Sequence, residues 1–144
     1  MMANIFRHAR TLEDLNAHGL NTAVSHLGIL ITELGEDFLR GTMPVDQRTK
    51  QPYGLLHGGS SALLAETLAS VAANMCVEKE SQQAVGLELN CNHVRAVRQG
   101  VVTGTARAIH VGRKTQVWDI RIEDEQGKLC CVSRLTLAVI ETAN

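Results

Sequence analysis

From Gln51 to Val77 the chain carries one permanently charged residue, Glu66, and this stretch limits the folds available to it. After Gly58-Gly59, the residues Leu64, Leu68, Val71 and Met75 recur at spacings of four, three and four, which mark one apolar helix face. Ala62, Ala65, Ala69, Ala72 and Ala73 add small side chains that let a helix lie close to another layer. Few polar positions remain to face water, so the pattern predicts a helix buried nearly all round. In a chain of 144 residues, a sheet wrapped around the helix is the economical way to bury it.

The flanking segments supply that sheet. Leu27–Leu34 and Phe38–Val45 read as strands joined by a Gly35-Glu36-Asp37 turn, after a short helix capped by Thr11, with Asp14 at capping-box distance and Gly19 as its stop. Ala84–His93, Val101–His110, Thr115–Ile122 and Leu129–Ile140 read as four more strands. In the third, Gln116, Trp118, Ile120 and Ile122 alternate with Thr115, Val117, Asp119 and Arg121. His110-Val111-Gly112-Arg113-Lys114 and Asp124-Glu125-Gln126-Gly127 read as tight hairpin connections. The expected class is α+β: a long antiparallel sheet wrapped around one central helix, a single domain over residues 1–144. Its two edge strands need cover, which self-association supplies.

Composition excludes several functions. Fourteen Lys and Arg against fifteen Asp and Glu give a net charge of −1, which argues against nucleic acid or an anionic membrane as partner. The four aromatics (Phe6, Phe38, Tyr53, Trp118) are too few for a base-stacking surface. No segment approaches the roughly 18–20 apolar residues of a bilayer span, and Met1–Arg10 has no apolar run of leader length. Cys76, Cys91, Cys130 and Cys131 lack CxxC spacing, so free thiols in the cytoplasm are expected, with metal binding a poor second, and neither a metal nor a cofactor is assigned to the site. HExxH, Walker and GxGxxG patterns do not occur.

Glu66 is the strongest candidate for chemistry, because a carboxylate within an apolar helix costs several kcal/mol unless it is paired or opens onto a ligand cavity. His57-Gly58-Gly59 stands where the helix begins. Backbone N–H groups there lack intrahelical partners, and glycine lets a carbonyl oxygen approach them. Gly58 and Glu66 are eight residues apart, about 12 Å along the axis. To act on one atom, they must come from two subunits. Ser60 and Ser61 lack a G-x-S-x-G setting and read as helix-capping residues. The basic segments Asn92–Arg98 and His110–Lys114 are either ordinary solvated charge or the mouth of a site for a phosphorylated ligand.

Q-P-Y-G-L-L-H-G-G-S-S-A-L-L-A-E, preceded by M-P-V-D-Q-R-T-K, resembles the hotdog-fold acyl-CoA thioesterases of the phenylacetate/4-hydroxybenzoyl-CoA type. V-G-L-E-L-N-C-N-H-V-R, the H-V-G-R turn, Q-V-W-D-I-R-I-E-D-E-Q-G-K-L-C-C and S-R-L-T extend the likeness from Thr11 to Ile140. The resemblance implies that Glu66 is the catalytic carboxylate, acting as nucleophile or as general base on water. It implies that the Gly58 N–H polarises the thioester carbonyl across a dimer interface, with Gln51 and His57 contacting the thioester. It further implies a path for coenzyme A along Gly86, along His93, Val94, Arg95 and Ala96, and along the turn of His110, Val111, Gly112, Arg113, Lys114 and Thr115. Ser70 and Val71 would wall the acyl pocket of a homotetramer built as a dimer of dimers. Two branches are most similar: one cleaves 1,4-dihydroxy-2-naphthoyl-CoA for menaquinone biosynthesis, the other clears misloaded groups from an aryl carrier protein. Val71 and N-C-N-H-V-R favour the first, while A-E-T-L-A-S resembles the second. Glu78-Lys-Glu-Ser-Gln-Gln runs a residue longer than in either. Hotdog domains also serve as hydroxyacyl-thioester dehydratases and as non-catalytic acyl-CoA sensors, which the residues alone leave open.

Overall fold

In a computed structural model describing residues 3–142, the elements run α1 (Leu12–His18), α2 (Ala23–His26), β1 (Leu30–Leu34), β2 (Phe38–Pro44), α3 (Gly58–Asn74), β3 (Gln82–His93), β4 (Val101–Val111), β5 (Thr115–Glu123) and β6 (Leu129–Glu141). The strands form one antiparallel sheet in the order β1-β2-β4-β5-β6-β3, wrapped around α3. This is the hotdog architecture expected from the sequence. The α1 cap is also as expected: the Thr11 hydroxyl accepts the Asp14 N–H at 3.1 Å.

The core lies between α3 and the concave face of the sheet. Leu64, Ala65, Leu68, Ala69, Ala72 and Ala73 pack against Leu39, Met43, Val102, Ala106, Trp118, Ile120, Ile122, Leu135 and Leu137. Gly41 and Gly104 are cross-strand partners that together form a notch for Leu68. A Cβ on either would come within 2.8 Å of a Leu68 methyl. The Trp118 indole is wholly buried and donates to Gln116 Oε1 at 2.9 Å, while Gln116 Nε2 donates to the Ala73 carbonyl at 3.2 Å. This chain of bonds satisfies two buried polar side chains and ties β5 to α3.

Three sequence expectations are corrected. First, the strand expected from Leu27 begins at Leu30. Thr22 caps the one-turn helix α2 instead, and Gly28 at φ +73° turns the chain into β1. Second, α3 is not buried all round. Gly59, Ala62, Leu63, Glu66, Thr67, Ser70, Val71 and Asn74 form a continuous half-open to open stripe, so Val71 leaves the apolar face on which its spacing put it. One sheet face covers one side of the helix, and among the described residues the other side is covered only in part. Third, the strand expected from Ala84 begins at Gln82 and carries a bulge. Its pairing with β6 shifts register between Gly86 and Glu88, making Leu87 an extra residue. The bulge swaps strand parity, so even-numbered Gly86 and odd-numbered His93 both face α3.

Candidate active site

The start of α3 is shaped by His57. Its backbone is extended at φ −69°, ψ 130°, and its ring Nδ1 accepts the Gly59 N–H at 2.8 Å. That bond puts the proton of the neutral imidazole on Nε2, leaving that N–H as the donor the ring can offer. The His57 carbonyl accepts from Ser60 and Ser61 at 3.0 and 3.2 Å. Ser60 and Ser61 are therefore buried first-turn residues rather than caps, which corrects the sequence reading. The Gly58 N–H donates to no group among the described residues. It stands free at the positive end of a 17-residue helix, where a developing oxyanion is best stabilised.

The preceding loop is fixed by buried Thr49. Its hydroxyl donates to the Pro44 carbonyl at 2.7 Å, and its own carbonyl accepts the His57 N–H at 2.8 Å. Gln51 Oε1 accepts the Tyr53 N–H within its own turn, which leaves the side-chain NH2 as the group it can offer a ligand. Gln51, Gly58, His93, Val94, Arg95 and Ala96 line one cavity of about 370 Å³, together with Leu55, Leu56, Ser61 and Cys130. The exposed His93 ring stands against Gly58: a Cβ on Gly58 would lie 2.9 Å from His93 Nε2.

Glu66 is elsewhere. Its side chain is exposed on the open stripe of α3, not desolvated as its sequence context predicts, and it leans against Gly86. A Cβ on Gly86 would stand 2.6 Å from Glu66 Oε1, so glycine is what makes room for the carboxylate. One turn further along, Ser70 and Val71 line a second cavity of about 330 Å³ with His8, Arg10, His18 and Lys79. Asn74 closes this end by gripping β3, donating to the Ala84 carbonyl at 3.0 Å and accepting the Ala84 N–H at 2.9 Å. The His110–Thr115 turn lies at this end too, because Thr115 and Val85 both pair with Ala138, whereas His93 pairs with Cys131. Those two β6 positions are seven residues apart, about 24 Å at strand rise. Within one chain the expected site residues thus fall into two groups. Gln51, His57, Gly58 and His93–Ala96 occupy one end of the sheet. Glu66, Gly86, Ser70, Val71 and the 110–115 turn lie toward the other.

The profile of the thioesterase superfamily matches residues 53–131, a span that includes the His57 cap, Glu66, Gly86 and the His93 segment. The chain belongs to the thioesterase superfamily. It is 53% identical over 94% of its length to a 1,4-dihydroxy-2-naphthoyl-CoA hydrolase of Escherichia coli, covering 99% of that protein. It is 52% identical, again over 94%, to a proofreading thioesterase of Cronobacter sakazakii, covering 98% of it. A crystal structure of a Haemophilus influenzae thioesterase superposes with a TM-score of 0.94 at 54% identity, each chain covered to 97%. The protein is a thioester hydrolase with the hotdog fold.

Some features of this thioesterase escaped the sequence reading. The Leu87 bulge, the Thr49 anchor and the Asn74 clamp carry no local pattern. Cys91 and Cys131, spaced far apart in sequence, meet across β3 and β6. Burial, reinforced by the adjacent Cys91 thiol, pushes the Cys131 thiol up to about 12.

Proposed function

We propose that this thioesterase hydrolyses aromatic acyl-CoA thioesters, with 1,4-dihydroxy-2-naphthoyl-CoA as its leading substrate, at sites shared between two copies of the chain. The observation that carries this reading is the division of the site between the two ends of β3. That strand is a sheet edge with an unpaired side along its twelve residues. A second copy laid antiparallel along it, about a twofold axis, would bring the Gly58 end of one chain against the Glu66 end of the other. Two such dimers would make the tetramer.

In this reading the acyl group sits beside Ser70 and Val71. The thioester oxygen receives the Gly58 N–H, with the Gln51 amide and His57 Nε2–H close by. A Glu66 oxygen attacks the thioester carbon and the C–S bond breaks. The CoA thiolate leaves and is protonated, giving a mixed anhydride that water then cleaves to the free acid and the Glu66 carboxylate. Rapid quenching should show CoA release running ahead of acid release. Equal rates from the first turnover would assign Glu66 to water activation instead. Arg95 from one chain and Arg113 with Lys114 from the other would hold the CoA phosphates.

The test is complementation. Gly58→Pro removes the N–H donor and suits the first helical position after the extended His57, although its Cβ, 2.9 Å from His93 Nε2, also makes the His93 ring shift. It should cost about 100- to 1,000-fold in kcat. Glu66→Ala should abolish turnover. Randomly mixed dimers of the two inactive chains should recover about a quarter of wild-type turnover, since half of the pairs regain one intact site. No recovery would place the site within one chain. The relative from Cronobacter sakazakii motivates a second reading, hydrolysis of aryl groups on a carrier protein. Comparing kcat/KM for naphthoyl-CoA, benzoyl-CoA and an aryl carrier thioester, in wild type and Val71→Met, separates the two. A pocket wall changed by one or two methylenes shifts selectivity by about 1–3 kcal/mol.

A further inference from the structure

We infer that Cys91, His93 and Cys131 form a binding site for a thiophilic divalent cation of the zinc type, next to the thioester cavity. One ligand atom from each residue lies within 4.8 Å of the other two. His93 and Cys131 are direct cross-strand partners, and Cys91 stands two residues back along β3 on the same face. The arrangement thus rests on sheet register rather than on a flexible loop. Two sulfurs and one imidazole nitrogen are a zinc-type donor set, and a tetrahedral ion with bonds of about 2.0–2.3 Å needs its ligands about 3.5 Å apart. Binding would require the three side chains to close that gap by rotation. Cys131 is buried, Cys91 is half-buried and His93, which also lines the cavity, is open, so an ion would enter past His93. Three protein ligands leave a fourth position for water. The Cys91 Sγ also lies 3.3 Å from Ser133 Oγ, whose hydroxyl donates to the Asn90 carbonyl at 2.8 Å, a hydrogen-bonded partner of the kind that orients a metal ligand.

The consequence follows from His93. Its ring lies against Gly58 and lines the thioester cavity, so an ion that takes one of its nitrogens repositions that wall. Occupancy should therefore slow hydrolysis, a consequence that rests on the proposed role of the Gly58 cavity. The binding claim itself does not depend on it.

Cobalt(II) added to the reduced, metal-free protein provides the test. One equivalent per chain should give the near-ultraviolet thiolate-to-cobalt band and the intense visible bands of a tetrahedral site. Zinc should bleach both and raise the melting temperature. Cys91→Ala should lose the spectrum and weaken zinc binding by at least the roughly 100-fold that loss of a ligand's hydrogen-bonding partner alone can cost. Cys76→Ala, altered at a thiol remote from the cluster, should bind as wild type does. A Cys91→Ala protein with undiminished affinity, or a wild-type spectrum without thiolate bands, would overturn the site. Zinc should also slow thioester hydrolysis by wild type but not by Cys91→Ala. Unchanged turnover in zinc-saturated wild type would refute the shared use of His93 while leaving the spectroscopic result standing.

Discussion

Replacing Gly86 by alanine tests the placement of Glu66 without touching Glu66 itself. The added methyl would stand 2.6 Å from Glu66 Oε1 and 3.7 Å from a Leu135 methyl. The second contact is ordinary packing, so the core does not object. The first is too short: a relaxed carbon–oxygen contact is about 3.3 Å, so the carboxylate must retreat by about 0.7 Å. Since Glu66 is exposed and ends a flexible chain, it can move at little cost to the fold. Catalysis is less forgiving, because a displacement of about 1 Å from the attacking geometry costs about 100-fold. We expect kcat to fall about 30- to 100-fold, or about 2–2.7 kcal/mol of transition-state stabilisation. Stability should hold or rise, because alanine in a strand or helix interior is favoured over glycine by roughly 0.5–1 kcal/mol. CoA release followed with a thiol-trapping dye, beside a thermal melt, measures both. A Gly86→Ala enzyme with wild-type kcat would refute the role of this contact, and a drop in kcat matched by a lower melting temperature would reassign it to folding.

Other substitutions separate overlapping roles. His57→Ala should lose the cap on Gly59, lowering stability by about 1 kcal/mol as well as turnover, whereas His57→Asn should restore the cap but not the Nε2–H donor. If the asparagine variant recovers both melting temperature and kcat, His57 is structural. Arg113→Ala should raise KM more than it lowers kcat, because a contact to the nucleotide is the same in ground and transition states; a selective loss of kcat would contradict that assignment. Burial pushes the Cys76 thiol from 9.0 up to about 11, so the unfolded chain ionises first. Its contribution to stability is intact below about pH 9 and is lost as pH rises through 9 to 11, and Cys76→Ala should flatten denaturation midpoints measured across that window.

The elements legible in the sequence were those whose signal is local. Alternation from Thr115 to Ile122 gave β5 to within a residue at its end, and the small residues of α3 marked it as the helix inside the sheet. The conclusion that Gly58 and Glu66 cannot meet within one helix stands, because α3 runs unbroken from Gly58 to Asn74. What misled was composition. Ala62, Leu63 and Val71 are apolar, yet they lie on the stripe that a single chain leaves open. Hydrophobicity alone does not say whether a residue is covered by its own chain. The Leu87 bulge was equally hidden, since an extra residue in a strand changes which faces are paired but not the strand's composition.

The open stripe and the exposed carboxylate have a common physical basis. In the lone chain Glu66 is hydrated, so its oxygens must shed water before they can approach a thioester carbon. Apolar Leu63 and Val71 flank it along the same stripe, and the stripe adjoins β3, the strand with an unpaired edge. A second copy that pairs with the edge would also cover the stripe, because both lie on one side of the molecule. Burial of the apolar residues drives such a contact. The same contact would strip water from Glu66 and bring up the partner's Gly58 N–H, where exclusion of solvent strengthens the attraction for an oxyanion. On the proposed shared site, association would do more than place two half-sites side by side. It would convert a solvated surface carboxylate into a reactive one, and a lone chain would fail in chemistry as well as in geometry.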